Sequence, residues 1–345
     1  MLQVRQKSNL FLQRKYLKIL SGRYGVPVET VSDELGPSLP EFTSLLDVSD
    51  HISKLLHDPA VSWKIYNGYW RRLLNDALVA IPTQTGLHDA TIYIGQVPDP
   101  IFDAEVRDFK RDRYLILIQT GLELFLYRIA SVVVATMRLR IGTPGNGQIV
   151  MEPEIDMDTA RSIVVRNIEA LFHGKHEMPI ALRSEEALAL SANYAYALQQ
   201  FVIAHEIGHI MQSVKPYADM TGDVKKAPLD SKLDLKHPWN KEVVADALAS
   251  NICHGLIQTV TSQGYMAQDI AESVLFEAPY IIFSLMTALD RIAASHGIKE
   301  WKTHPPADLR KSKLFSVQVA QGLHRDYQEM AEERSQHVSR LAGLI

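Results

Sequence analysis

Residues 201–212 (FVIAHEIGHIMQ) limit what this chain can fold into more than any other stretch. Val202, Ile203, Ile207 and Ile210 surround His205, Glu206 and His209, so a helix formed here is apolar over most of its circumference and belongs inside the protein. An internal helix must find partners for two imidazoles and a carboxylate, because a buried polar group left alone costs roughly 2–7 kcal/mol. The histidines are four residues apart, which stacks them on one face with their ring nitrogens able to converge on one cation. Glu206 is turned away by about 100° at helical pitch, too far to share that cation easily but within reach of a water bound to it. One helical turn thus offers two metal ligands and a base, the H-E-x-x-H arrangement of zinc hydrolases. A surface helix would carry the same five residues at no cost; the apolar setting argues against that reading.

A catalytic zinc site takes three protein ligands and keeps one position open. Gln212 stands where the metzincin pattern requires glycine, and no histidine follows His209 before His237, so the third ligand must come from further along the chain. Glu242 and Asp246 are stacked at i, i+4 on an otherwise apolar helical stretch. With Glu242 as ligand, Asp246 is placed to accept the second ring N–H of a ligating histidine and fix its tautomer. His237, just ahead of Pro238, and Asp246 itself are the rival third ligands. His173 and His176 lie three apart in a loop beside Lys175 and read as solvated.

At 345 residues and 46% hydrophobic content the chain can bury a large core. A net charge of −4 gives no global attraction to nucleic acid, and none is expected as a partner. Cys253 is the single cysteine, which excludes an internal disulfide framework and fits a reducing compartment. Charges run throughout the first twenty residues, so they do not read as a secretory signal. The two most apolar windows, 114–137 and 278–294, contain Glu123 with Arg128 and Asp290 respectively, and read as buried elements instead of transmembrane segments. These features together predict a cytoplasmic protein.

Residues 1–80 read as an N-terminal helical region: an amphipathic basic stretch over 9–20, a proline-bearing loop, and apolar periodicity over 42–56 and 63–79. The rest, 81–345, reads as the domain that carries the site. Short β-branched or aromatic runs predict strands at 91–94 and 113–119, with a polar loop between them. Helices are expected from Gly121 to about 138, over 158–171, from 184 through the motif to 212, over 240–258 and 269–296, and beyond Pro306. The stretch 141–158 reads as turns, and 214–239 as a long polar loop of the kind that serves as a lid.

HEIGH followed by E-x-x-A-D on the next helix resembles the gluzincin metallopeptidases. The later His304-Pro305-Pro306-Ala307-Asp308-Leu309-Arg310 resembles the H-P-x-x-x-x-R element of the CAAX-prenyl-protease and HtpX-type family within that clan, and RYLILIQTGLELFL, 113–126, is similar to that family's strand and turn. The likeness spans roughly 89–310 in scattered motifs, with an insertion at about 137–185. HEIGH with E-x-x-A-D also resembles the soluble ImmA/IrrE-type regulatory peptidases, which lack the H-P-P-x-x-x-R element. The resemblance implies an α+β, predominantly helical fold: a gluzincin-like domain with a small β-sheet and extra N- and C-terminal helices. It also implies that His304 and Arg310 act together at the site.

The expectation is a zinc-dependent endopeptidase acting on an intracellular protein or peptide, with one Zn2+ per chain on His205, His209 and Glu242, Asp246 behind them, and Glu206 as base. An exposed edge strand at 91–94 would take the substrate as an added strand. The alternative is a regulatory zinc-binding protein or latent peptidase whose 214–239 loop covers the site until a partner binds.

Overall fold

A computed structural model of the chain describes residues 2–25, 59–81, 87, 90–141, 149–173, 180, 182–214, 238–295, 304–320 and 325–343. Among them three strands form one sheet: β1 (Thr91–Val97), β2 (Ala104–Asp108) and β3 (Arg113–Gln119), in the order β1-β3-β2. β3 pairs parallel with β1, Ile94 opposite Ile116, and antiparallel with β2, Val106 opposite Ile116. Six of its seven residues are buried, as expected of a central strand covered on both faces.

Alternation along β3 divides the molecule into two layers. Tyr114, Ile116 and Ile118 face the main helical core, whereas Leu115 and Leu117 face α1 (Leu2–Tyr24). α1 answers with Leu12, Tyr16 and Leu20, one helical turn apart and all buried. The Tyr16 hydroxyl donates to the main-chain carbonyl of Gln96, and a Cβ on Gly95 would run into the Tyr16 ring. β1 is an edge strand, as expected of 91–94, but it is buried from Tyr93 onward, with α1 packed on one of its faces. β2 is the opposite edge; its residues are half-buried to exposed and it has no second strand partner among the described residues.

β2 itself lies inside the stretch read as a polar loop. Ala104 and Val106 face the core while Glu105 and Arg107 pair with each other at 2.6 Å on the other face, an alternation only two apolar residues long. At its far end Lys110, Arg111 and Asp112 all adopt positive φ and turn the chain back into β3.

The helices on the other face are α2 (Pro59–Val79), α3 (Thr120–Ala135), α4 (Met157–Phe172), α5 (Glu185–Val214), α6 (Pro238–Ser262), α7 (Gln268–Ser295), α8 (Ala307–Ala320) and α9 (Arg325–Leu341). A two-stranded hairpin, β4 (Leu139–Ile141) with β5 (Ile149–Met151), sits in the stretch read as turns. The remaining described elements lie close to their expected positions. The fold is α+β and predominantly helical with a small sheet. Residues 42–56 and most of the loop expected over 214–239, with His237, lie outside the described residues.

Trp70 and Leu73 of α2, Phe125 of α3, Phe201 of α5 and Phe283 of α7 share one buried cluster. Phe201 and Phe283 meet edge to face at 5.8 Å. Glu123 and Arg128 are buried within α3, in keeping with the reading of that window as an internal element. α7 is long and apolar enough to cross a membrane by length and composition, yet 78% of its most apolar window is buried inside the protein.

Two close approaches set up the site. Gly208 of α5 packs against Ala245 of α6 so tightly that a Cβ on it would stand 2.9 Å from the Ala245 Cα and main-chain oxygen. That contact puts the face between His205 and His209 against the face between Glu242 and Asp246. Gly121 lies against the main-chain carbonyl of Pro100, and its N–H donates to Asp99 O at 2.9 Å, which fixes the approach to β2 over the start of α3.

Candidate metal centre

The helical pitch of α5 stacks His205 and His209 as the spacing predicts: their Nε2 atoms are 3.1 Å apart, with the rings nearly perpendicular. Glu242, one turn into α6, brings Oε2 to 3.3 Å from His205 Nε2 and Oε1 to 3.4 Å from His209 Nε2. Ligand atoms of the three residues all lie within 4.8 Å of one another, so this group can hold a metal ion.

The donor set fits a cation on chemical grounds. His205 Nδ1 lies 2.9 Å from Asp246 Oδ1, so a neutral His205 carries its proton there and leaves the Nε2 lone pair facing the His209 nitrogen and the Glu242 carboxylate. Lone pairs at such separations require a positive charge among them. Glu242 Oε2 has three nitrogens nearby, His304 Nδ1 at 3.0 Å, His205 Nε2 at 3.3 Å and Arg310 Nη2 at 3.8 Å, but none is aligned to hydrogen-bond it. It remains a buried carboxylate oxygen with an unused lone pair pointed into the cluster.

The ionisation of the metal-free cluster reflects the same demand. Burial works against a charged His205 ring, but its contacts to Asp246 and Glu242 outweigh burial and lift its pKa to about 10. His209 is pushed down to about 4 by burial and by the charge on His205. Burial likewise opposes ionisation of Glu242, yet His205 and His304 hold it well below the usual carboxylate range. A single proton on His205 thus supplies positive charge among these groups.

Asp246 is 1% exposed and forms the base of the site. Arg310 grips it from behind, Nε to Oδ2 at 2.8 Å and Nη2 to Oδ1 at 2.6 Å, while Nη1 faces Met286 Sδ at 3.9 Å. Asp246 is therefore not a rival ligand, since its oxygens are occupied by His205 and Arg310. His304 and Arg310, expected to act together at the site, both approach Glu242 Oε2, His304 Nδ1 at 3.0 Å and Arg310 Nη2 at 3.8 Å, while Arg310 also spends Nε and Nη2 on Asp246.

Glu206 is buried and is not one of the three converging residues, and its pKa is raised to about 8. Burial is the main cause; the nearby carboxylates of Glu242 and Asp103 add to it and His205 opposes it. Asp103, at the approach to β2, is a site residue that the sequence reading missed. It lines the same cavity as Glu206 and His304, and burial raises its pKa against the opposing Ala104 N–H and His304. A lone aspartate in a polar stretch carries no sequence signal for this. Phe201, Val202, Ile282, Met286 and Leu289 also line the cavity; their helical periodicity reads as ordinary core.

Fold and site together define a helical α+β protein in which a His-His-Glu group on two packed helices could hold a metal ion. No protein-family model, no curated protein and no solved structure matches this chain.

Proposed function

We propose that the protein is a zinc-dependent endopeptidase. The observation that carries this reading is the convergence of His205, His209 and Glu242 within 4.8 Å while Glu206, on the same helical turn, is left out of the ligand set. A purely structural metal site would have no use for that buried carboxylate. A zinc ion held by these three residues would supply an activated water at neutral pH and polarise a carbonyl.

The remaining work falls to the chain. Glu206 takes a proton and returns it to the leaving amine. Asp246, locked by Arg310, holds His205 in the tautomer that presents Nε2. β2 offers main-chain hydrogen bonds to an extended substrate laid along its free edge. His304, 36% exposed in its side chain, is the donor available to a developing oxyanion.

The test is cleavage of unfolded casein by zinc-loaded protein with Glu206→Gln as the control. Cutting by the wild type that is lost in Glu206→Gln and in chelator is the expected result. Equal cutting by both proteins would remove Glu206 as base, and no cutting by the zinc-loaded wild type would remove the peptidase reading.

A further inference from the structure

A cavity of about 650 Å³ opens beside the metal ligands, and most of its wall is apolar. α5 contributes Phe201 and Val202, four and three residues ahead of His205 and so on the same helix face. α7 contributes Ile282, Met286 and Leu289, an i, i+4, i+7 stripe. The stripe meets the charged centre directly, because Met286 Sδ is the atom facing Arg310 Nη1 at 3.9 Å. Ile101 and Trp239 line the cavity while remaining 41% and 38% exposed, which marks an apolar rim open to solvent. The polar lining consists of the metal-site residues and Asp103, with Asp290 next to Leu289.

Size decides what such a space accepts. An apolar cavity of ~150 Å³ holds one benzene-sized ring, so this one has room for several such groups, more than a single amino-acid side chain supplies. Residues 101–104 lie in its wall and lead into β2, so a strand added to β2 begins at the cavity mouth. Side chains on one face of that strand recur at every second residue, ~6.6–6.8 Å apart.

We propose that the site selects extended peptide segments with two bulky apolar residues spaced i, i+2, both lodged in this cavity while the segment pairs with β2. The proposal rests on the peptidase reading for what becomes of the segment, but its recognition step can be measured without cleavage.

The experiment uses zinc-loaded full-length Glu206→Gln protein and short fluorescent peptides that are identical except at two positions, Leu-x-Leu, Leu-x-Ser and Ser-x-Ser, followed by fluorescence polarisation. Each buried leucine should tighten binding by about 10- to 100-fold, giving two steps across the series. Val202→Trp and Met286→Trp fill the cavity from different helices, and each should abolish the second step while zinc content and melting temperature are retained. Equal affinity for all three peptides would overturn the proposal, as would a second step that survives in both tryptophan variants. Wild-type cleavage separates the two readings. If Glu206→Gln ranks the peptides as expected while the wild type cuts none, the recognition stands and the peptidase reading falls; if the wild type cuts all three equally and the inert variant shows no ranking, the recognition falls and the peptidase reading stands.

Discussion

Arg310 holds Asp246 through two parallel contacts of 2.8 and 2.6 Å, with both residues almost wholly buried. Asp246 Oδ1 in turn lies 2.9 Å from His205 Nδ1, so a residue of α8 orients, through Asp246, a candidate metal ligand on α5. The Phe283 ring lies 5.2 Å from the guanidinium carbon and helps keep it in place.

Removing Arg310 leaves the Asp246 carboxylate buried and short of its main counter-charge, which typically costs ~3–5 kcal/mol. Arg310→Ala should therefore lose stability of that order in urea denaturation and bind zinc roughly 10- to 100-fold more weakly. Asp246→Asn should weaken zinc by a similar factor. Wild-type stability and zinc affinity in Arg310→Ala would show that the pair does not orient His205.

Metal analysis should find about one zinc per chain, lost in His205→Ala, His209→Ala and Glu242→Ala and kept in Glu206→Gln, because the three ligand residues converge and Glu206 does not. Full zinc in Glu242→Ala would return the third-ligand role to His237.

A zinc ion held by these residues would displace the proton that His205 holds up to about 10 in the metal-free protein. Affinity should accordingly rise about tenfold per pH unit between roughly pH 7 and 9, with close to one proton released per ion, measurable by calorimetry in buffers of different ionisation enthalpy. The stability of the metal-free protein follows the same groups. A histidine raised from 6.5 to about 10 stabilises the fold below pH 6.5, and that contribution is lost as pH rises toward 10. Glu206, raised from 4.5 to about 8, acts in the same direction up to pH 8. His209, lowered to about 4, acts only as pH falls from 6.5 toward 4. The melting temperature of metal-free protein should therefore fall between pH 6.5 and 8, and that of zinc-loaded protein should fall less. Parallel profiles for the two forms would contradict this charge assignment.

What the sequence made legible was local. His205, Glu206 and His209 share one helical turn, and Glu242 and Asp246 share another, so helix pitch alone placed each group. The relation of more distant residues was not legible. His304 and Arg310 are six apart across the start of a helix, and spacing cannot say that one stands in front of the ligands and the other behind Asp246. β2 was hidden because it is short: only Ala104 and Val106 face the core, too brief an alternation to stand out from the charged residues around it. The cavity was hidden for the opposite reason. Ile282, Met286 and Leu289 are patterned like any core-facing stripe, and only the packing of α5, α7 and the approach to β2 leaves space in front of them.

Gly208 carries a prediction of its own, since the α5–α6 contact at Ala245 sets the distance between the histidines and Glu242. Gly208→Ala places a methyl group 2.9 Å from Ala245 backbone atoms, which must shift. Overpacking of this kind costs ~1–3 kcal/mol, even though alanine favours the helix. The displacement should also weaken zinc binding, as read by chelator competition. Unchanged zinc affinity together with raised stability would mean that the helices separate freely and do not set the site.

His304 differs from Arg310 in being partly exposed and in standing beside Glu242 on the ligand side of the site, with Nδ1 3.0 Å from Oε2 but not aligned to bond it. Pro305 and Pro306 follow it directly and lead into α8, and the Arg310 N–H donates to Pro306 O at 3.1 Å in the first turn, so the histidine is held by a stiff helix start. On the proposed peptidase reading a donor so placed would serve an oxyanion, and loss of one such donor typically costs on the order of 100- to 1,000-fold in rate. His304→Ala should keep its fold and zinc, because His304 is neither a core residue nor one of the three converging ligands. It should lose kcat by that factor with a smaller change in KM, as befits an interaction made mainly in the transition state. Steady-state kinetics on a fluorogenic peptide would decide it: a raised KM at unchanged kcat would make His304 a substrate-binding residue, and wild-type values for both would remove it from the site.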